Sequence, residues 1–114
     1  MKIDKFENVI SWQKARELSL TIYKLFKKNN DFGFRDQIQR AVISISNNIA
    51  EGFERQSNKE LKQFLYIAKG SCGEVRSMLY TALDLGYISS KDHAVLENIS
   101  TDISRLLSGF IKTL

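Results

Sequence analysis

"LKQFLYIAKGSCGEVRSMLYTALDLG", Leu61 to Gly86, decides the fold class. Stepped at about 100° per residue, Leu61, Phe64, Leu65, Ala68, Cys72, Val75, Leu79, Ala82 and Leu83 share one face, as a long amphipathic helix requires and a strand does not allow. Gly86 in "LGYIS" suits the left-handed residue that follows a helix. Upstream, "SNKE" at Ser57 to Glu60 is a capping box, with the serine hydroxyl accepting from the third helical N–H and the glutamate reaching back to the serine N–H.

The same period runs outward in both directions. Trp12, Ala15, Leu18, Ile22, Leu25 and Phe26 cluster on a helix from about Trp12 to Lys28, which the turn residues "NNDFG", Asn29 to Gly33, bring to an end. From Phe34, a second stripe holds Ile38, Ala41, Val42, Ile45 and Ile49. After Gly86, Ser89 with Asp92 marks another acidic start, and Leu96, Ile99, Ile103, Leu106, Leu107, Phe110 and Leu114 form the fourth stripe. No segment sustains strand alternation. The expectation is all-α: a single domain over 1–114, folded as an antiparallel up-down-up-down four-helix bundle, because short links leave no chain to cross it.

The chain of 114 residues has no proline, and its lone cysteine, Cys72, excludes disulfides and CxxC schemes. Cys72 is expected to pack as a small core residue. "MKIDKFENVI" carries charges where a signal peptide needs an apolar run, and nothing approaches membrane-spanning length, so a cytoplasmic protein is expected. Net charge is +4. All of the surplus lies in residues 1–70.

Catalytic and metal chemistry find little to stand on. A di-iron bundle needs two Glu-x-x-His pairs, whereas this chain has one histidine, His93, preceded at three positions by Ser90. His93 falls in the first turn of the fourth helix, where it is expected to be exposed and structural. "GSCG" lacks the lysine and spacing of a phosphate loop. No enzyme, metal or cofactor is expected.

Surfaces remain. Lys62, Lys69 and Arg76 recur at sevens on one flank of helix three, and Lys24, Lys27 and Lys28 crowd the end of helix one; together they are the candidate nucleic-acid contacts. Cations at that end also complement the helix dipole. Tyr66, Gly70, Gly73, Ser77 and Tyr80 form a second row on helix three. Each interior glycine costs about 1 kcal/mol against alanine, so close packing is expected there, against another subunit or against this chain's own helices.

"SISNNIAEGFERQSNKE", Ser44 to Glu60, is unusually polar for mid-bundle. Asn48 and Gly52 fall on the packed side, Asn47 and Glu51 with Arg40 on the far side. Arg55 is the favoured partner of Glu51, four residues on, and the cluster reads as a junction between helices two and three. Gly52 either admits a close helix or closes helix two; both stay open.

"SISNNIAEGFERQSNKELKQFLYIAKGSCGE" closely resembles the signature of the 23S ribosomal RNA intervening-sequence proteins, roughly S-I-P-x-N-I-A-E-G-x-x-R-x-S-x-K-E followed by F-L-x-I-A-x-G-S-x-x-E. Ser44, Ile45, Asn48, Ile49, Ala50, Glu51, Gly52, Arg55, Ser57, Lys59 and Glu60 match its first part, and Phe64, Leu65, Ile67, Ala68, Gly70, Ser71 and Glu74 its second. Ser46 stands at the usual proline, which removes an expected kink. The resemblance implies a helical bundle that forms homo-oligomeric rings, commonly pentamers, without known catalysis. Related bundles serve diversity-generating retroelements, where a basic ring is implied to bind RNA or DNA and a reverse transcriptase. Two functions follow as expectations: nucleic-acid binding by a basic surface, or a scaffold that docks a partner enzyme.

Overall fold

The computed structural model describes residues 3–114, in which a short 3-10 turn (Phe6–Asn8) precedes α1 (Ile10–Phe26), α2 (Phe32–Phe53), α3 (Asn58–Asp84) and α4 (Ser90–Lys112). No strand occurs among the described residues. The fold is an all-α four-helix bundle. From Phe26 to Phe32 is six Cα steps, a reach of about 21 Å at most, shorter than the roughly 25 Å length of α1; the links into α3 and α4 are comparably short against longer helices. Consecutive helices therefore run antiparallel. α1 packs on α2, α2 on α3, α3 on α4, and α4 closes onto α1, while the diagonal pairs do not approach.

The core follows the four stripes. Leu18, Ile22 and Phe26 meet Ile38, Val42, Ile45 and Ile49, then Leu65, Leu79, Leu96, Ile103 and Leu107, all fully buried. Each such side chain contributes roughly 1.5–3 kcal/mol of transfer free energy. Several polar groups in the core find partners on their own helices or the next: Ser19 Oγ donates to Ala15 O (3.0 Å) and lies 3.3 Å from Val42 O, and Cys72 Sγ donates to Ser100 O at 3.1 Å, whereas Ser11 Oγ and His93 Nε2 are buried without one. Burial pushes the Cys72 thiol up to about 11, which leaves it a neutral packing group.

Three expectations are corrected. Leu25 does not join the core stripe; it is exposed, and Ser11 and Ser19 take buried positions on α1. α2 begins at Phe32, so Gly33 lies within its first turn and not in the preceding link; the cause is Asp31, whose carboxylate accepts from Phe34 N at 3.2 Å as an N-cap. His93 is not exposed but 7% accessible: its ring packs 4.6 Å from that of Tyr80, with Nδ1 at 3.9 Å from Glu97.

Elsewhere the local signals hold. Ser57 caps α3 and Ser89 caps α4, accepting from Glu60 N (3.2 Å) and Asp92 N (3.0 Å). Gly86 takes φ +75° after α3. The Glu60 carboxylate, however, accepts from the Ser57 hydroxyl at 3.3 Å. With serine in place of proline at position 46, α2 runs unbroken from Phe32 to Phe53.

A candidate nucleic-acid interface

Asp31 sets more than a helix start. By fixing the first turn of α2 it places Phe32, Arg35 and Gln39 at i, i+3 and i+7, one face of the helix. That face lies beside the end of α1. Tyr23, Lys24, Lys27, Arg35 and Gln39 together line an open cleft of about 380 Å³ between α1 and α2. Three cations and no carboxylate form its wall. Arg35 is held in place from below, its guanidinium carbon 4.8 Å from the centre of the Phe32 ring and its Nη2 3.1 Å from Asp36 Oδ1. Asp36 is half exposed, so the pair is screened and stabilises little, about 0–1 kcal/mol.

The cleft's end of the bundle is tied to the α3–α4 link. Tyr87 OH donates to Asp31 Oδ2 at 2.7 Å, and that bond, followed by the one from Phe34 N, lowers the Asp31 pKa below its ordinary 3.8. The same bond raises Tyr87 above its usual 10. Asp31 therefore contributes stability above its unfolded value that is lost as pH falls through its folded one, and Tyr87 contributes below 10 and loses it as pH rises beyond. The difference in stability between wild type and Tyr87→Phe is expected to be greatest between these limits and to narrow below about pH 3.8, as chemical denaturation across pH will show.

Lys62, Lys69 and Arg76 do not reach this cleft. Arg76 lies close enough to Cys72 and Tyr80 to lower the pKa of both, and Cys72 bonds to α4. The flank shared by the three cations thus faces α4, while α1 is diagonal to α3. One expected basic surface is two. Lys28 lies just past α1 and is exposed but outside the cleft lining. On the α3 side a carboxylate is already present, because Tyr80 OH donates to Glu97. Sequence reasoning missed Tyr23, Arg35 and Gln39; the spacing of four between Arg35 and Gln39 put them on one face of helix two, and recognising Asp31 as a cap would have added Phe32 to it.

The row Tyr66, Gly70, Gly73, Ser77 and Tyr80 is exposed throughout. A methyl group added at Gly70 or Gly73 would meet nothing within 4 Å. Packing within the chain therefore does not account for these glycines.

At the α2–α3 junction the polar stretch is resolved into contacts. Asn48 Nδ2 donates to Ser44 O (2.7 Å) and Ser44 Oγ (2.9 Å), and Ser44 Oγ lies 2.9 Å from Ser71 Oγ on α3. Arg55 pairs with Glu51 at 3.0 Å and approaches Glu60 at 3.9 Å while covering the Phe64 ring at 4.9 Å. Gly52 is buried against α3 as the penultimate residue of α2, so it both admits a close helix and lies at the close of its own. These are the residues that carry the signature, and the family model described as 23S rRNA-intervening sequence protein matches residues 7–109. The chain belongs to this family.

A second comparison is structural. A crystal structure of a protein of unknown function from the S23 ribosomal protein family of Bacteroides thetaiotaomicron VPI-5482 superposes with a TM-score of 0.84 at 28% identity, covering 90% of this chain and 96% of that one. No curated protein matches. Among the described residues of this intervening-sequence family member, no three His, Cys, Asp or Glu side chains gather as metal ligands, and no helix is long and apolar enough to cross a membrane.

Proposed function

We propose that this chain is a non-enzymatic, cytoplasmic, self-associating protein that binds RNA or DNA through the α1–α2 cleft. The observation that carries this reading is the convergence of Lys24, Lys27 and Arg35 around one open cleft with no carboxylate in its lining. Cations so placed displace condensed counterions from a phosphate backbone, and a base edge can be met by the Gln39 amide. Binding of a structured RNA measured at about 50 and 200 mM salt tests it: affinity falling by at least tenfold with salt is expected. Absence of binding at the lower salt overturns it.

Self-association rests on the exposed glycine row of α3. A close-packed partner helix offsets the cost of Gly70 and Gly73, and the pentameric ring is the assembly the family resemblance implies. Five copies at +4 each would carry about +20, a strong field for a polyanion. Gly70→Ala and Gly73→Ala are each expected to stabilise the folded chain by about 0.5–1 kcal/mol while reducing the oligomer mass seen by light scattering. Unchanged mass removes the row from the interface. The same row favours the alternative, a scaffold docking a partner enzyme such as a reverse transcriptase; in that case the variants lose the partner and keep both mass and RNA.

A further inference from the structure

Two aromatic rings flank the α1–α2 cleft from outside the core. Phe26 and Phe34 meet tilted, and Phe34 and Tyr87 edge to face, with ring centres 5.8 and 5.5 Å apart. Tyr23 and Phe32, close by in the chain, are left 42% and 59% exposed. Tyr23 lines the cleft beside Lys24 and Lys27, and Phe32 lies under the Arg35 guanidinium at 4.8 Å. One exposed ring, Tyr23, thus lies in the cleft lining, and a second, Phe32, packs against one of its cations.

Exposed rings set beside cations discriminate among nucleic acids. A duplex presents phosphates outward and hides its base faces in the stack, so exposed rings gain nothing from it except at ends. A single strand offers base faces and phosphates in turn, the pattern of an aromatic platform set in a cationic groove. The cleft is shallow and open, so a single strand can lie across it with its bases turned to the rings. Gln39 adds an amide that can meet an unpaired base edge.

Building on the reading above, we propose that this cleft selects unpaired, single-stranded nucleic acid, stacking bases on Tyr23 and Phe32 while Lys24, Lys27 and Arg35 hold the flanking phosphates. The choice between RNA and DNA rests on other contacts, and an oligo-uridine, an oligo-thymidine and a blunt duplex of equal length serve as probes.

Fluorescence anisotropy at one fixed salt concentration is expected to give single strands at least tenfold tighter than the duplex. Tyr23→Ala and Phe32→Ala are each expected to weaken single-strand binding by about 5- to 100-fold and to weaken duplex binding far less. Tyr23→Phe, which keeps the ring, retains the affinity. Both residues are exposed, and circular dichroism of each variant establishes that the bundle is intact. Equal affinity for strand and duplex, or alanine variants that bind single strands as wild type does, overturns the stacking site while leaving the nucleic-acid reading in place. Failure of every probe to bind at low salt overturns that reading itself.

Discussion

Gly52→Ala is expected to destabilise the bundle by about 1–3 kcal/mol, the range for forcing an extra methyl into a packed site. In most helices the same change stabilises by up to about 1 kcal/mol. Here the new Cβ would stand 2.6 Å from Phe64 Cβ, 3.2 Å from Leu61 Cδ1 and 3.4 Å from Leu61 O. Phe64 Cβ is the first atom of its side chain and cannot move unless α3 moves. α3 is fixed at this point by the Ser57 cap and by Arg55, which covers the Phe64 ring. Urea denaturation of Gly52→Ala beside Gly70→Ala, whose added methyl meets nothing within 4 Å, separates steric cost from helix propensity. Equal stabilisation of both would mean that α2 and α3 do not approach so closely at this junction.

Replacing Lys24, Lys27 and Arg35 together by glutamate is expected to abolish nucleic-acid binding, a loss of at least a hundredfold at about 50 mM salt. The change moves the formal net charge by six units, from +4 to −2, and puts carboxylates where phosphates would lie. Because Lys24 and Lys27 also complement the negative end of α1, reversal costs stability, about 0.3–1 kcal/mol at each. The neutral triple Lys24→Gln, Lys27→Gln, Arg35→Gln avoids most of that penalty. It is expected to lower the slope of log affinity against log salt by about 2 for a single strand. Lys62→Gln, Lys69→Gln, Arg76→Gln is the matched comparison, since it removes as many cations from the α4-facing flank of α3. If that variant loses binding and the first triple retains it, the interface is on α3.

The outcome at His93 shows what periodicity alone omits. Its place in the first turn of α4 was legible, yet its burial depends on Tyr80, which comes from α3 and covers the imidazole. Leu25 is the converse case: its position fits the α1 stripe to within one residue, but the neighbouring helices reach Ile22 and Phe26 instead. Among the proposed site residues, Lys24 and Lys27 were visible as a basic cluster, whereas Arg35 and Gln39 entered only once the packing of α1 on α2 set their flank beside Lys24 and Lys27.

By itself the sequence determined the helices, the Ser57 and Ser89 caps and the pairing of Glu51 with Arg55, because each depends on groups no more than about four residues apart along the chain. It determined the short links as well, and through them the antiparallel order. Only the tertiary structure decided that the two groups of cations are separate, that the glycine row of α3 is open, and that Gly52 seats α3. Those outcomes depend on which flank of each helix meets a neighbour, a property of the assembled bundle that no local stretch of residues encodes.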